Sequence, residues 1–212
     1  DKKILFEGAQ GALLDVSLGT YPYVTSSNSS VGGIASGIGI SPNNIDYSLG
    51  IAKAYTTRVG EGPFPTELFD DIGTFLAEKG GEVGATTGRP RRCGWLDAFL
   101  LSHTVKLNGI DGLCITKIDV LDGLETIKVC NDYSSNISKG EILETLALED
   151  VEPIYTELKG WEEPTAGKQS FEELNDRAKE FILNIEDLCK VPVIMISTGP
   201  KREDTIIRKY PL

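Results

Sequence analysis

The octapeptide GLCITKID, residues 112–119, decides the fold because it joins an apolar strand to a polar turn. Residues 112–116 are mostly apolar, and we predict a buried strand there. Along the chain such strands alternate with helical segments. This alternation is typical of an α/β protein with a mixed, partly parallel sheet flanked by helices.

The turn Thr116-Lys117-Ile118-Asp119 is close to the N-K-x-D guanine signature, with threonine in place of asparagine. A carboxylate at a strand end can accept two hydrogen bonds from guanine, whereas adenine offers no such pair of donors. The lysine stem would pack along the base. The alternative is a lysine–aspartate pair on the surface, and a four-residue match does not exclude it.

A second apolar strand, predicted over residues 191–196, runs into Ser197-Thr198-Gly199-Pro200. Small residues at a strand end let backbone N–H groups approach a planar ligand. If the two strand ends lie side by side, they can clasp one base. The alternative is a simple turn before the last residues of the chain.

The other elements follow from periodicity and from the residues that end helices. We predict further strands at residues 4–6, 55–59, 126–133 and 154–158, helices at residues 31–40, 68–79, 96–107 and 171–185, and a polar turn over residues 131–140. No break in composition divides the sequence. Residues 1–212 are therefore expected to form one domain piece without an internal boundary.

Three arginines and two threonines fall within GATTGRPRR, residues 84–92, of an otherwise acidic chain. Arginine forks bind carboxylates and phosphates through paired hydrogen bonds, and the glycines allow the loop to close over a ligand. A solvated basic loop or a nucleic-acid patch is the alternative. The acidic background favours a small anionic ligand.

Two polar segments near the start of the sequence are further candidates. Gln10 can donate to and accept from a purine edge or an oxyanion, or it can be an exposed amide in a turn. The hydroxyls of TYPYVTSSN, residues 20–28, can bind phosphate or belong to a polar turn. Asp15 and Asp46 have no evident partner, and we interpret both as solvated carboxylates.

Composition excludes several classes of function. The 212 residues carry 32 acidic against 21 basic side chains, a net charge of -11 that repels nucleic acid and anionic membranes. No apolar run can span a bilayer and no basic-then-apolar leader opens the sequence, so we expect a cytoplasmic protein. Four scattered cysteines and the single His103 argue against a zinc site, a disulfide framework and a histidine-based triad. We expect His103 to be a packed or half-exposed helix residue.

Seven segments, taken in order, resemble the adenylosuccinate synthetase family, and specifically its C-terminal half. They are FEGAQG (6–11), GTYPYVTSSN (19–28), TRVGEGPFPTEL (57–68), GATTGRPRR (84–92), GWLD (94–97), TKIDVLDG (116–123) and STGP (197–200). The resemblance implies a P-loop-NTPase-like ligase fold. It also implies GTP-dependent joining of IMP and L-aspartate to adenylosuccinate, the first committed step of AMP synthesis, with Mg²⁺ and a 6-phosphoryl-IMP intermediate.

The resemblance further implies which residues contact each substrate. IMP would be bound by Gln10, Thr25, Val59, Gly60 and Arg89. Aspartate would be bound by Ala85, Thr86, Thr87, Gly88, Arg89 and Arg91. GTP would be bound by Arg91, Lys117, Ile118, Asp119, Ser197, Thr198 and Gly199. Gln10 would support the chemistry, and no catalytic or metal-binding residue is expected in this chain. Pro90 stands where some relatives have another arginine.

The sequence contains neither G-x-x-x-x-G-K-[ST] nor the family's GDEGKGK type of phosphate loop. The resemblance places that loop, the catalytic aspartate and histidine, and the Mg²⁺ ligand in the N-terminal half. The chain alone is therefore expected to be inactive, and the full enzyme is expected to be a homodimer that acts on small molecules. Two other interpretations stay open: a stand-alone guanine-nucleotide-binding module, and a structural α/β segment that binds nothing tightly.

Overall fold

The computed structural model describes residues 2–84 and 88–211, which form an α/β fold. The strands are β1 (Leu49–Lys53), β2 (Thr56–Arg58), β3 (Arg92–Gly94), β4 (Leu96–Asp97), β5 (Gly112–Thr116), β6 (Thr126–Ser134), β7 (Glu152–Lys159), β8 (Val193–Ser197) and β9 (Thr205–Ile207). The helices are α1 (Gly32–Ile38), α2 (Asp71–Lys79), α3 (Ala98–Asn108), α4 (Lys139–Thr145) and α5 (Asp176–Cys189). Short 3-10 helices cover Ala12–Leu14, Pro42–Asn44 and Ile118–Leu121.

The main sheet has the strand order β1-β5-β8-β9. Strands β1, β5 and β8 run parallel, with Leu113 opposite Val193, and β9 is antiparallel to β8. Ile115 and Ile196 are completely buried at its centre. Because β5 and β8 are parallel neighbours, the turns that follow them leave the same edge of the sheet. This confirms the predictions of a partly parallel sheet and of adjacent strand ends.

A second sheet and a strand pair complete the β-structure. The second sheet has the order β4-β6-β7, with β4 parallel and β7 antiparallel to β6. Strands β2 and β3 form an antiparallel pair. Strand β4 runs directly into α3, where the Asp97 carboxylate accepts a hydrogen bond from the N–H of Leu100 at 3.0 Å. A side-chain acceptor at this position stabilises the start of a helix.

Helix α5 supplies a large part of the core. Phe181 and Ile185 are completely buried on its inner face, as its amphipathic pattern predicts. The predicted apolar stripe starts at Phe171, but α5 begins only after Asn175. The side chain of Asn175 accepts a hydrogen bond from the N–H of Ala178 at 2.9 Å, which fixes the first turn there.

Residues 4–6 do not form the buried strand that the sequence predicts. Ile4 is 74% exposed and Leu5 is 90% exposed. No strand within the described ranges pairs with them. An apolar segment forms a strand only where a neighbour satisfies its backbone N–H and C=O groups, and the described part of the chain places no such neighbour alongside these residues.

Most other predicted elements are confirmed. The strands predicted over residues 55–59, 112–116, 126–133, 154–158 and 191–196 each match an observed strand to within two residues at either end. The predicted turn over residues 131–140 is partly wrong, because β6 continues to Ser134 and α4 begins at Lys139. The Ser138 side chain caps α4 by accepting from the N–H of Glu141 at 3.2 Å. His103 is half-buried on α3, as predicted.

The four cysteines are free and buried, in agreement with the expectation of thiols rather than disulfides. Among the helices of the described residues, none is both long enough and apolar enough to cross a membrane.

Replacement of Phe181 by alanine should lower the free energy of unfolding by about 3–5 kcal/mol, because it leaves a cavity in the core. The Phe181 ring packs against Trp161 with centroids 6.1 Å apart. The matched control is Leu183→Ala on the same helix, since Leu183 is 50% exposed; its cost should stay within ~1 kcal/mol. Urea unfolding of the chain measures both, and equal losses would contradict the packing described.

Candidate functional site

The turn after β5 is shaped by Lys117, which has a left-handed backbone conformation with φ 61°. Its ammonium donates to the backbone oxygen of Gly80 and, at 3.1 Å, to Glu82 Oε1. Asp119 follows in the first turn of a 3-10 helix, and it is half-exposed. Desolvation raises the pKa of the Asp119 carboxyl, and the nearby Asp122 carboxylate adds to that effect.

The turn after β8 lies beside the first one. The Ser197 hydroxyl donates to the backbone oxygen of Gly199 at 2.9 Å. Thr198 is completely buried; its hydroxyl donates to the oxygen of Lys168 at 2.9 Å and its N–H to that of Asp204 at 2.8 Å. The side chain of Thr198 therefore holds the turn in place instead of facing a ligand.

Two more residues of these turns, Ile118 and Gly199, present their backbone rather than a side chain. The Ile118 side chain is completely buried, so only its main chain can face a ligand. A Cβ atom at Gly199 would lie 2.5 Å from Asp204 Oδ2, so a larger residue would displace the Asp204 carboxylate from this turn. The structure thus brings the six residues of the predicted guanine pocket to one edge of the sheet.

A cleft of about 510 Å³ lies beside β1 and β2. Its lining includes Gln10, Val59 and Arg91, three of the residues that the sequence predicts to bind substrates. Lys53 and Asp97 also line it. The volume and the mixed apolar and polar lining are those of a small-molecule site.

Thr25 and Gln10 are joined by Ser27. The Ser27 hydroxyl lies 2.8 Å from Thr25 Oγ1 and donates to Gln10 Oε1 at 3.3 Å. Gln10 is exposed and has a left-handed backbone conformation with φ 63°. Two residues that the sequence predicts to bind IMP therefore meet through a chain of hydroxyl and amide groups.

Asp15 is completely buried, and its interpretation as a solvated carboxylate is wrong. Its oxygens accept hydrogen bonds from the N–H groups of Ser17 (2.8 Å), Leu18 (3.0 Å), Ser29 (2.7 Å) and Ser30 (2.9 Å). Burial alone would raise the pKa of Asp15, but these donors outweigh burial and hold the pKa well below its usual range. The carboxylate organises the loop that carries Thr25. Asp46 is exposed, as expected.

The glycine- and arginine-rich loop is closed by backbone hydrogen bonds at its ends. The N–H of Gly84 donates to the oxygen of Arg89 at 2.8 Å, and that of Arg91 donates to the oxygen of Glu82 at 2.9 Å. Gly88 and Arg89 are exposed, and Gly88 has φ 64°. The remaining residues of the predicted aspartate loop, Ala85, Thr86 and Thr87, lie outside the described residues. Residues 82–84 and 88–91 form the two sides of this loop, which we call the arginine hairpin. The hairpin brings Arg91 to the cleft.

Arg92, the third arginine of the motif, makes contacts that support the fold. Its guanidinium pairs with Glu67 and donates to the backbone oxygens of Gly60 and Gly62 at 3.1 and 2.9 Å. It also lies over the Phe64 ring, 5.4 Å from the centroid. Arg92 therefore fixes the turn at Gly60, which has φ 80° and belongs to the predicted IMP set.

Glu82 joins the cleft to the turn after β5, and the sequence analysis missed it. The residue is 2% exposed. Its Oε2 accepts from Lys53 and Arg91 at 2.8 Å each, and its Oε1 accepts from Tyr55 at 2.5 Å and Lys117 at 3.1 Å. Burial opposes ionisation, but these donors outweigh it and lower the pKa of Glu82 to about 2. In the sequence, the only sign of this role is that Glu82 precedes the glycine-rich loop.

Asp97 is a second acid whose setting the sequence did not reveal. It is buried and lines the cleft. Its carboxylate accepts from the N–H of Leu100 and from the Tyr133 hydroxyl, while its own N–H donates to Thr56 Oγ1 at 3.1 Å. Burial nonetheless raises the pKa of Asp97 to about 6. Asp97 connects β2 to the start of α3.

Known proteins resemble this chain in both sequence and fold. A family model for adenylosuccinate synthetase matches residues 1–206. The chain belongs to the adenylosuccinate synthetase family. It is 54% identical over 215 residues to adenylosuccinate synthetase of Hahella chejuensis and 56% identical over 212 residues to that of Marinobacter nauticus. The alignments cover 100% and 98% of this chain but 50% and 49% of the relatives, so the chain spans about half the length of the curated relatives it matches.

Solved structures of relatives agree with this assignment. The fully ligated adenylosuccinate synthetase of Plasmodium falciparum superposes with a TM-score of 0.89 at 45% identity, over 96% of this chain and 49% of that one. Cyanophage S-2L succinoaminodeoxyadenylate synthetase, at 17% identity and a TM-score of 0.57, shares the fold alone. The α/β fold is therefore that of the adenylosuccinate synthetase family.

The raised pKa of Asp97 predicts that stability falls as the pH rises from 3.8 to about 6. Over that range the native carboxyl holds a proton that the unfolded chain has already released. Each pH unit therefore lowers the free energy of unfolding by up to ~1.4 kcal/mol. Asp97→Asn keeps an acceptor for the helix start and should remove this part of the slope. Asp46→Asn, at an exposed acid, is the control for the loss of one acidic side chain. Urea unfolding at several pH values measures the slopes, and identical slopes for wild type and Asp97→Asn would disprove the assignment.

Proposed function

We propose that the chain is the C-terminal half of a GTP-dependent ligase that joins IMP and L-aspartate to form adenylosuccinate, GDP and phosphate. One observation carries the proposal: a single buried carboxylate, Glu82, holds both Lys117 of the guanine turn and Arg91 of the arginine hairpin. Membership of the family supplies the reaction. The contact through Glu82 supports it, because the reaction requires its substrates to be bound side by side.

For GTP, we place the base at the adjacent ends of β5 and β8. The Asp119 carboxylate would accept N1–H and the 2-amino group, and the Lys117 stem would cover the face of the ring. The remaining residues, Ile118, Ser197, Thr198 and Gly199, would shape the pocket mainly through their backbone. Arg91 would reach the phosphates, since its guanidinium is held at the cleft by Glu82.

For IMP, we place the nucleotide in the cleft. Gln10 would hydrogen-bond the base, and Thr25 would bind the phosphate. The backbone of Val59 and Gly60 would contact the ribose, and Arg89 would reach IMP from the hairpin. The lining of one cleft by Gln10 and Val59 supports this arrangement.

For L-aspartate, we place the dicarboxylate under the hairpin loop. Arg89 and Arg91 offer two guanidinium groups, and arginine pairs bind carboxylates through two parallel hydrogen bonds. The other residues assigned to this loop are Ala85, Thr86, Thr87 and Gly88. Hydroxyl and backbone N–H groups of these residues would orient the substrate for attack.

The reaction needs two chemical steps. GTP first phosphorylates the purine 6-oxygen, because an oxo group leaves poorly and a phosphate leaves well. The aspartate amine then displaces that phosphate. In this scheme Gln10 and the arginines hold the reactants in place, and their donors stabilise negative charge that develops during transfer.

Groups in the part of the relatives that this chain does not match would complete the enzyme. Within residues 2–84 and 88–211, no cluster of three or more His, Cys, Asp or Glu side chains could hold a metal ion. From the resemblance to the family, we place the Mg²⁺ site, with the catalytic aspartate and histidine, in the part of the longer relatives that this chain does not match. In this proposal the chain is one undivided domain piece that is inactive alone, and the complete enzyme is a cytoplasmic homodimer.

Asp119→Asn should switch the base preference of the chain from guanine to xanthine. The asparagine amide would donate to the 2-oxo group of xanthine, whereas it cannot accept both guanine donors. The affinity for GDP should fall about 10- to 100-fold and that for XDP should rise. Titrations followed by amide NMR measure both affinities. Exposed Asp150→Asn is the control, and an unchanged preference in Asp119→Asn would refute the guanine assignment.

Arg89→Leu should raise the KM for aspartate about tenfold or more, with a smaller effect on kcat, because it removes binding present before and during the reaction. The assay uses a chimaera of this chain and the half of the Marinobacter nauticus relative that it does not match. Arg177→Leu, at an exposed arginine of α5 that pairs with Glu180, is the control. An unaltered KM would count against the role of the hairpin, and an inactive wild-type chimaera would count against the proposed reaction.

A further inference from the structure

A buried carboxylate lies under three cations that remain partly open to solvent. The Glu82 side chain is 0% exposed, whereas those of Lys53, Arg91 and Lys117 are 24%, 29% and 34% exposed. Three positive charges against one negative charge leave the outer surface of the cluster cationic. The carboxylate itself cannot touch a ligand, but the groups that it holds can.

The donors of the cluster are already oriented by other contacts. Lys53 Nζ also donates to Thr57 Oγ1 at 2.8 Å, and Lys117 Nζ also donates to the backbone oxygen of Gly80. Each ammonium has three N–H donors, so one stays available on each lysine. Glu82 therefore fixes the direction in which these remaining donors point.

The cations that meet at Glu82 come from separate parts of the site. Lys53 and Arg91 line the cleft, while Lys117 belongs to the turn that carries Asp119. Glu82 itself lies at the base of the hairpin, where its backbone oxygen accepts from the N–H of Arg91 at 2.9 Å. A shift of the hairpin would pull on the same carboxylate that holds Lys117.

We propose that Glu82 is a positioning residue that sets the nucleotide specificity of the site by holding Lys117, and with it the turn that carries Asp119, in register with Arg91. This inference rests on the proposed function, since it assigns Lys117 to guanine. Glu82 contacts no substrate and acts only through the cations that it binds. Lys117 has the left-handed backbone conformation from which the chain turns into Asp119, so a displaced Lys117 would misplace the carboxylate that distinguishes guanine from adenine.

The test is Glu82→Gln in the 212-residue chain, with GDP and ADP affinities measured by amide NMR titration. Glutamine keeps the shape and one acceptor oxygen but removes the charge that fixes the lysine. The ratio of GDP to ADP affinity should fall about tenfold, a difference of ~1.4 kcal/mol. The ratio is the chosen readout because both nucleotides carry the same phosphates, so any general gain in positive charge cancels.

The control variant is Glu186→Gln. Glu186 also pairs with an arginine, Arg208, at 2.7 Å and accepts a backbone N–H from Val193 at 2.7 Å, but it lies on α5. Its replacement should lower thermal stability without changing the GDP to ADP ratio. An equal loss of selectivity in both variants would show that selectivity follows stability, and it would overturn the proposal.

The same Glu82→Gln change in a Lys117→Met chain distinguishes a positioning role of Glu82 from a role in stabilising the fold. With Lys117→Met already present there is no ammonium to misplace, so adding Glu82→Gln should change the ratio by less than about twofold. A full tenfold loss in that background, or no loss from Glu82→Gln alone, would overturn the proposal while leaving the guanine site intact. A wild-type chain without any preference for GDP would instead remove the proposed guanine site, and this inference with it.

Discussion

The structure depends on placing one carboxylate where water cannot reach it. An isolated buried charge is too costly to persist, and removal of one partner from such a cluster leaves the others uncompensated. Glu82 is ionised because Lys53, Arg91 and Lys117 surround it and Tyr55 donates to it. The end of β1, the turn after β5 and the arginine hairpin are thereby held at one point.

The parallel sheet explains why binding residues gather at a single edge. Every strand of a parallel set points its carboxyl end the same way, so the turns that follow neighbouring strands meet. Here β5 leads to Lys117 and Asp119, and β8 leads to Ser197 and Gly199. The polar turns sit on an apolar core, and buried residues such as Ile115 and Phe181 fix its geometry.

The errors of the sequence analysis have physical causes. An apolar tripeptide at residues 4–6 has strand propensity, but strands are made by partners, and the described chain supplies none there. Asp15 seemed solvated because acids usually are. Its burial depends on a loop that folds back so that N–H groups up to 15 positions away reach its oxygens.

The sequence by itself determined five of the strands, most helix positions, the two polar turns at strand ends and the family, because these depend on patterns of neighbouring residues. Only the tertiary structure decided the roles of Glu82, Asp97 and Asp15. Glu82 meets Tyr55, Lys53 and Lys117 across 27, 29 and 35 residues of chain, respectively. Contacts of that span leave no local pattern, and the burial that shifts a pKa exists only once the chain has folded.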